Sequence, residues 1–262
     1  MRSGKPVAVF AVLLVVSFAT MNAMPSDTLL AALLQEAVLA LVALVAVGLA
    51  VPDALKRCTQ TVQQRSIVRF TAITLLLVGL VGGAITLLAW LFAGGGTMAC
   101  FASTALPSTA DLMENLLLLL GICLLTGLYE ESFMRALGIE AFERALDTKR
   151  AILASAALFA LLHVGAPDVS AGQLVLLQTA LKFGQALLFG VIMGALYVRT
   201  RRLWPCAFIH AGFDVLYLAP NVLLTGTMPE TYASGAVGDT VLLAVSVLML
   251  SGIVLKIRKE IA

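Results

Sequence analysis

The sequence predicts an all-α fold, a polytopic membrane helix bundle of about eight transmembrane helices. Hydrophobic residues account for 61% of the 262 residues and charged residues for only 12%, with a mean hydropathy of +1.02. A soluble domain has about a quarter of its residues charged, so this composition excludes one. Apolar stretches of about 20 residues, the length that crosses a bilayer, follow one another with short connections. We therefore predict a multi-pass protein of the cell membrane, surrounded by the lipid bilayer and without a nucleic-acid partner.

Three spans are predicted in the first part of the chain, and the first of them has two interpretations. It follows a short basic start and so fits a signal peptide, but its apolar stretch is long for one and favours a retained helix. The third span contains Gly79 and Gly83, a small-residue spacing that predicts close helix packing. The three spans run from Pro6 to Met24, from Thr28 to Val51 and from Phe70 to Ala93.

Five further spans follow. Gly190 and Gly194 in the sixth span repeat the small-residue spacing of the third. Between the fourth and fifth spans, Ile139, Phe142 and Leu146 are spaced to form one apolar face, which predicts a helix lying in the membrane interface. The five spans run from Leu112 to about Leu137, from Ala151 to an end between His163 and Ala166, from Gln173 to Val198, from Leu203 to about Leu224, and from Thr240 to Leu255.

The basic residues predict the orientation of the chain. With the N-terminus in the cytoplasm, every lysine and arginine except Lys182 falls in a cytoplasmic connection or span end, whereas the opposite connections carry only acidic charges. Cytoplasmic loops of membrane proteins carry the excess of Lys and Arg. Both termini are therefore predicted to be cytoplasmic.

Charged residues at the end of the fourth span are the first indication of a site. Glu130, Glu131 and Arg135 close an otherwise apolar run, and charges at such a depth normally pair or face a wet cavity. Residues four apart share a helix face, so Glu131 and Arg135 are predicted to pair. Glu130 is turned from Glu131 by about 100°, so the two glutamates are expected to differ in their roles. A purely structural ion pair is the alternative for this segment.

The two histidines of the chain lie inside other predicted spans. His163 ends the stretch that begins at Phe159, and His210 shares a helix face with Asp214. A single histidine in a span is as often a hydrogen-bonding residue between helices as a catalytic one. Here both histidines and the aspartate occur on the polar-bearing helices that follow the glutamates, which favours one common site.

Three motifs in this order resemble the signature of the CPBP family, the CAAX proteases and bacteriocin-processing (Abi) proteins. Glu130-Glu131-x-x-x-Arg135, Phe159-x-x-x-His163 and His210-x-x-x-Asp214 are similar to the family's EExxxR, FxxxH and HxxxN or HxxxD. The resemblance predicts a catalytic core over residues 112–222. Residues 1–111, with the first three spans, and residues 223–262, with an outer loop, the last span and a basic tail, lie outside it.

The resemblance implies an intramembrane endopeptidase that acts on a membrane-associated peptide or protein. In this interpretation Glu130 or Glu131 activates a water molecule together with His163, and Arg135 compensates the glutamates. His210 and Asp214, from the third motif, would bind the oxyanion or keep the other site residues in position. Between the two glutamates the sequence narrowly favours Glu131 as the base. A CAAX-type prenylated substrate and a leader-bearing substrate are both compatible with the family.

A metal-dependent mechanism is the chemical alternative. Two histidines, one carboxylate and an open position for water form the ligand set of a catalytic zinc. His163 and His210 would then be the nitrogen ligands of a Zn²⁺ ion. The four cysteines have no paired spacing and are interpreted as small apolar residues. We expect the metal-free glutamate mechanism, with no certain cofactor.

Two other functions compete with proteolysis, and nothing in the sequence predicts an oligomeric state. A non-catalytic membrane adaptor or self-immunity protein could retain the fold, but the complete set of motif residues favours catalysis. A proton-coupled transporter is disfavoured because the chain has no internal repeat. Gln178, Lys182 and Gln185 form a polar stripe on the sixth span. The stripe is expected to line the same cavity, or Lys182 is expected to pair with Glu114 or Glu36. Counting residues from the basic span ends predicts a site that opens to the cytoplasmic half of the bilayer.

Overall fold

The computed structural model describes residues 4–24, 26–58, 65–91, 107–164, 170, 172–229 and 233–261. This part of the chain is almost entirely helical and contains no strand. The helices are α1 (Lys5–Ala23), α2 (Leu29–Ala50), α3 (Pro52–Cys58), α4 (Arg65–Leu91), α5 (Thr109–Glu131), a π-helical segment (Ser132–Ile139), α6 (Glu140–Phe142), α7 (Thr148–Val164), α8 (Gln173–Thr200), α9 (Leu203–Thr225) and α10 (Val237–Ile261).

The all-α, polytopic membrane fold is confirmed, and each predicted span has a helical counterpart. Among the residues described, seven helices are long and apolar enough to cross a membrane. The fifth predicted span corresponds to α7, which has 17 residues and is therefore about 25 Å long. This is shorter than the hydrocarbon core of about 30 Å, so the described residues form seven full-length spans and one shorter helix where the sequence predicted about eight spans.

The fourth span is longer than predicted, because α5, the π-helical segment and α6 form one continuous helix from Thr109 to Phe142. The predicted interfacial helix is therefore wrong. Ile139 and Phe142 belong to the end of this long helix, and a turn leads directly into α7. All eight residues of the π-helical segment are buried, whereas an interfacial helix would expose one polar face.

Helices α5 and α9 approach each other closely at Gly127. A Cβ atom at this position would lie 2.6 Å from the carbonyl oxygen of Ala207 and 3.1 Å from the amide nitrogen of Ala211. Both atoms belong to the α9 backbone and have little freedom to move. The absence of a side chain at Gly127 therefore allows the ends of α5 and α9 that carry Glu130 and His210 to come together.

The two predicted small-residue pairs have different outcomes. A Cβ at Gly194 would lie 2.8 Å from the Ile152 side chain, and Gly190 is equally close to α7, so this pair packs as predicted. At Gly79 and Gly83, a Cβ would meet nothing within 4 Å among the described residues, so the prediction for that pair is wrong. The neighbouring Gly82 makes the contact with α9, because α4 turns that face towards the bundle.

Charged residues connect the helix ends on the basic side of the bundle. Arg201 follows α8 and pairs with Glu143 at 2.8 Å, and Arg57 of α3 lies 3.4 Å from Glu140 of α6. Arg57 also donates to the backbone oxygen of Arg201 at 2.8 Å. The hydrogen bond to the Glu143 carboxylate raises the pKa of the Arg201 guanidinium. This cluster, Arg57, Glu140, Glu143 and Arg201, is called the basic-end cluster below.

Replacing Gly127 by alanine is expected to destabilise the protein by about 1–3 kcal/mol, because the new methyl group overpacks the contact between α5 and α9. The apparent melting temperature of the detergent-solubilised protein measures this effect. Gly212→Ala on α9 is the matched control, since a Cβ there meets nothing within 4 Å and helix propensity favours alanine by about 1 kcal/mol. Equal melting temperatures for the two variants would contradict the close approach.

Candidate active site

A buried ion pair joins the end of α5 to the π-helical segment. Glu131 and Arg135 are both 0% exposed, and the guanidinium donates to both carboxylate oxygens, from Nε at 3.0 Å and from Nη2 at 3.4 Å. The third nitrogen, Nη1, donates to Ser155 Oγ of α7 at 3.1 Å, and that hydroxyl donates to the Met134 carbonyl at 2.7 Å. The structure therefore shows the pairing of Glu131 with Arg135 that helical spacing predicts. The structure also shows Ser155 as a partner of Arg135, which the sequence analysis missed. The only indication in the sequence is that Ser155 places a hydroxyl group within an apolar span.

Glu131 also holds the ring of His210. Its Oε1 lies 2.8 Å from His210 Nδ1, and a carboxylate paired with an arginine can only accept, so Nδ1 is the donor. The other ring nitrogen, Nε2, therefore faces away from the ion pair. It lies 3.4 Å from Glu130 Oε2 and 3.5 Å from Asp214 Oδ2. Both oxygens of Glu131 are thus engaged by neighbouring side chains.

Glu130 has a different environment. Its side chain is 20% exposed, and Oε2 lies 3.9 Å from His163 Nε2 in addition to the contact with His210. Among the described residues no group makes a hydrogen bond to this buried oxygen. The two adjacent glutamates thus face different surroundings, as their angular separation on the helix predicts.

The Phe159-x-x-x-His163 spacing has a local explanation at the end of α7. His163 Nδ1 lies 2.9 Å from the carbonyl oxygen of Phe159, and a carbonyl only accepts, so Nδ1 carries the proton. The two rings also contact each other, with centroids 4.2 Å apart. Both contacts turn the unprotonated Nε2 of a neutral His163 towards Glu130.

Two cavities meet at Glu130 and His163. One, of about 290 Å³, is polar and is also lined by Glu36, Thr126 and Lys182, together with the third-motif residues. The other, of about 420 Å³, is largely apolar and lies between α1, α5, the π-helical segment and α7. All six predicted site residues therefore belong to one connected cluster. Four of them line a cavity, Glu130, His163, His210 and Asp214, and the other two, Glu131 and Arg135, lie directly behind its wall.

The three polar residues of the sixth span, Gln178, Lys182 and Gln185, lie in two different environments. Lys182 lines the polar cavity and donates to Gln185 at 3.1 Å, which agrees with the first of its two predicted positions. Gln178 and Gln185 connect α8 to α10, through Thr240 at 3.0 Å and Ser246 at 2.7 Å. Sequence reasoning missed Glu36 as a wall of the cavity, because α2 carries no motif that resembles the family.

The described residues do not fit a three-ligand metal site. In this part of the chain no three side chains of His, Cys, Asp or Glu are grouped so that they could hold one metal ion. His163 and His210 both direct Nε2 at the Glu130 carboxylate. Cys123 is a buried free thiol, and the buried Cys206 Sγ lies 3.8 Å from the carbonyl oxygen of Met193. Both positions are consistent with their interpretation as small apolar residues. Cys100 and the side chain of Cys58 lie outside the described residues.

Comparison with known proteins supports the resemblance. Residues 112–216 match the family described as Type II CAAX prenyl endopeptidase Rce1-like. This range contains the three motifs, so the resemblance to CAAX proteases is confirmed for this part of the chain. Searches of curated proteins and of solved structures found no match.

Arg135→Ala is expected to destabilise the protein by about 3–5 kcal/mol, because it leaves the buried Glu131 carboxylate without its counter-charge. Arg150→Ala is the matched control: Arg150 pairs with Asp147, but their side chains are 75% and 57% exposed, and exposed pairs contribute little. Thermal unfolding of the purified variants measures the difference. The double variant Glu131→Gln/Arg135→Gln, which removes both charges, is expected to recover part of the loss. An Arg135→Ala protein as stable as Arg150→Ala would contradict this account.

Proposed function

We propose that this chain is an intramembrane endopeptidase that hydrolyses a peptide bond of a membrane-associated substrate with a water molecule activated by Glu130. The observation that carries the proposal is the position of the Glu130 carboxylate. It lies next to the Nε2 atoms of two histidines, at the junction of a polar and an apolar cavity. The match of residues 112–216 to a CAAX endopeptidase family supports the same reaction class.

The geometry favours Glu130 over Glu131 as the base, although the sequence narrowly favours Glu131. A general base needs a free lone pair within reach of the water proton. Both oxygens of Glu131 accept hydrogen bonds from Arg135, and one also accepts from His210. Glu130 Oε2 has no such partner among the described residues and faces the cavity. Glu131 is therefore assigned as the group that orients His210.

In the proposed reaction, water enters the space beside Glu130 and His163. Glu130 removes one proton as the water oxygen bonds to the carbonyl carbon of the scissile peptide. The neutral His163 accepts a hydrogen bond from the second water proton at Nε2, which orients the attacking lone pair. A tetrahedral intermediate with a negatively charged oxygen results.

His210 is placed to stabilise this oxyanion. Its Nδ1 proton is held by Glu131, so in its imidazolium form Nε2–H is directed into the cavity, and Asp214 lies 3.5 Å from that atom. Donors aimed at the developing charge in a site that excludes bulk water are the most effective form of such stabilisation. Collapse of the intermediate breaks the C–N bond, and Glu130 returns its proton to the leaving amine. The products are a carboxylic acid and an amine.

The apolar cavity supports a substrate that is associated with the membrane. Leu14, Phe18 and Met21 of α1 form one wall, opposite Leu161 and Leu162 of α7. Such a cavity suits an apolar peptide segment or a prenyl chain, so both a CAAX-type prenylated substrate and a leader-bearing substrate are compatible with it. An adaptor function gives no reason for a carboxylate between two histidines at the junction of two cavities.

Glu130→Gln is expected to lower kcat by about 10²–10⁴-fold, the usual contribution of a general base, with the melting temperature unchanged within a few degrees. Cleavage of a fluorogenic farnesylated CAAX-type peptide and of its unprenylated version by the purified protein measures the effect. Glu131→Gln is the comparison: it weakens a buried ion pair and is expected to lower the melting temperature as well. Cleavage by Glu130→Gln at the wild-type rate would refute Glu130 as the base. If wild type cleaves neither this peptide nor a leader-bearing one, the adaptor function is favoured.

A metal-chelator experiment addresses the alternative mechanism. In the same assay, incubation with a strong chelator is expected to leave the cleavage rate within twofold of the untreated enzyme. Loss of activity that is restored by added Zn²⁺ would replace the glutamate mechanism with a metal-dependent one. His163→Ala further distinguishes the glutamate mechanism from the metal-dependent one. If His163 were a zinc ligand, its removal would lower the amount of zinc bound per protein molecule as well as the cleavage rate.

A further inference from the structure

The polar cavity extends towards the end of the bundle opposite the basic-end cluster. Its lining includes Ser26, in the connection between α1 and α2, and Met228, in the connection between α9 and α10. Glu36 lies on the first two turns of α2, and it also lines the cavity. The cavity therefore reaches from Glu130 to two connections that contain no Lys or Arg.

The opposite side of the site is closed by packed side chains. From Glu131 towards the basic end, the π-helical segment, α8 and α9 contribute residues that are 0% exposed: Arg135, Leu137, Ile139, Met193, Tyr197 and Cys206. The basic-end cluster lies beyond this layer and joins α3, α6 and the end of α8. None of these six side chains is accessible to water, so this side of the site is tightly packed among the described residues.

The distribution of basic residues identifies the closed end. Apart from Lys182 and the buried Arg135, the lysines and arginines of the described residues lie in connections or near helix ends on the side of the basic-end cluster. Connections rich in Lys and Arg face the cytoplasm. The sequence alone predicted an opening on this side, whereas the packed layer and the cavity lining at Ser26 and Met228 favour the opposite side.

We infer that the active site opens to the non-cytoplasmic face of the membrane, an inference that rests on the endopeptidase function proposed above. Water and the scissile peptide bond reach Glu130 from that face through the polar cavity. The substrate class that fits is a membrane-inserted peptide with its cleavage site exposed on the non-cytoplasmic side, such as an exported, leader-bearing peptide. A prenylated C-terminus that is presented from the cytoplasm does not fit this access route.

Cysteine labelling tests the direction of opening without relying on catalysis. The four native cysteines are first replaced by alanine, and single cysteines are then introduced by Ser26→Cys, by Thr126→Cys in the cavity wall, and by Asp53→Cys on α3. Asp53 is the control for the basic end, because its side chain is 71% exposed. Each variant is expressed in a bacterial host, and spheroplasts are treated with a charged, membrane-impermeant maleimide before and after permeabilisation.

We expect Ser26→Cys and Thr126→Cys to react in intact spheroplasts at least tenfold faster than Asp53→Cys, which reacts only after permeabilisation. Reaction of Asp53→Cys from outside would overturn the assigned orientation. Failure of Thr126→Cys to react from outside would overturn the opening, whether or not it reacts after permeabilisation.

An activity comparison separates this inference from the proposed function. The purified enzyme in detergent is accessible from both faces, so cleavage of a fluorogenic leader-type peptide there tests the endopeptidase alone. The same impermeant peptide is then offered to spheroplasts and to inside-out vesicles. Cleavage by spheroplasts supports the inference, and cleavage only by inside-out vesicles overturns it while the endopeptidase function stands. Absence of cleavage in detergent would count against the function, and the labelling result would still decide the opening.

Discussion

The buried ion pair between Glu131 and Arg135 is the interaction on which the arrangement of the core depends. Taking two charges out of water costs several kcal/mol for each, unless they are paired and their remaining hydrogen-bonding groups are satisfied. Here the remaining partners come from other helices, Ser155 on α7 and His210 on α9. Lipid tails are as apolar as leucine side chains, so apolar contacts alone select helix neighbours weakly in a membrane. The ion pair supplies that selection, because α7 and α9 must both lie beside α5 to complete it.

The division of roles between the two adjacent glutamates follows from the same interaction. Once Glu131 is committed to Arg135 and His210, the neighbouring Glu130 points about 100° away along the helix and faces the cavity. One carboxylate therefore builds the site, and the other remains available for chemistry. Gly127, one turn earlier on α5, allows the close backbone approach that places both of them beside α9.

Local periodicity explains which parts of this site could be predicted from the sequence. The all-α membrane fold, the pairing of Glu131 with Arg135 and the shared face of His210 and Asp214 all depend on spacings within one helix. These spacings are regular, and they hold in the structure. Contacts between helices have no such period, so the sequence did not distinguish Ser155 from other polar residues in apolar spans, and it offered Glu36 only as a partner for Lys182.

Two other features required the three-dimensional structure for a similar reason. The π-helical segment after Glu131 has no sequence pattern of its own, and it extends the fourth span where an amphipathic spacing predicted an interfacial helix. The side from which the cavity opens depends on how tightly side chains from α8, α9 and the π-helical segment pack against one another. Counting residues from the span ends measures depth alone, so it carries no information on how tightly each side of the site is packed.

Helix α1 lies outside the matched family region, yet Leu14, Phe18 and Met21 form one wall of the apolar cavity beside Glu130. The residues assigned to hydrolysis lie in the matched region, whereas one wall of the apolar cavity comes from a helix outside it. Substitutions in α1 can reshape that wall without touching the three motifs. Selectivity for a substrate can therefore diverge between descendants of one enzyme while the hydrolytic chemistry is inherited intact.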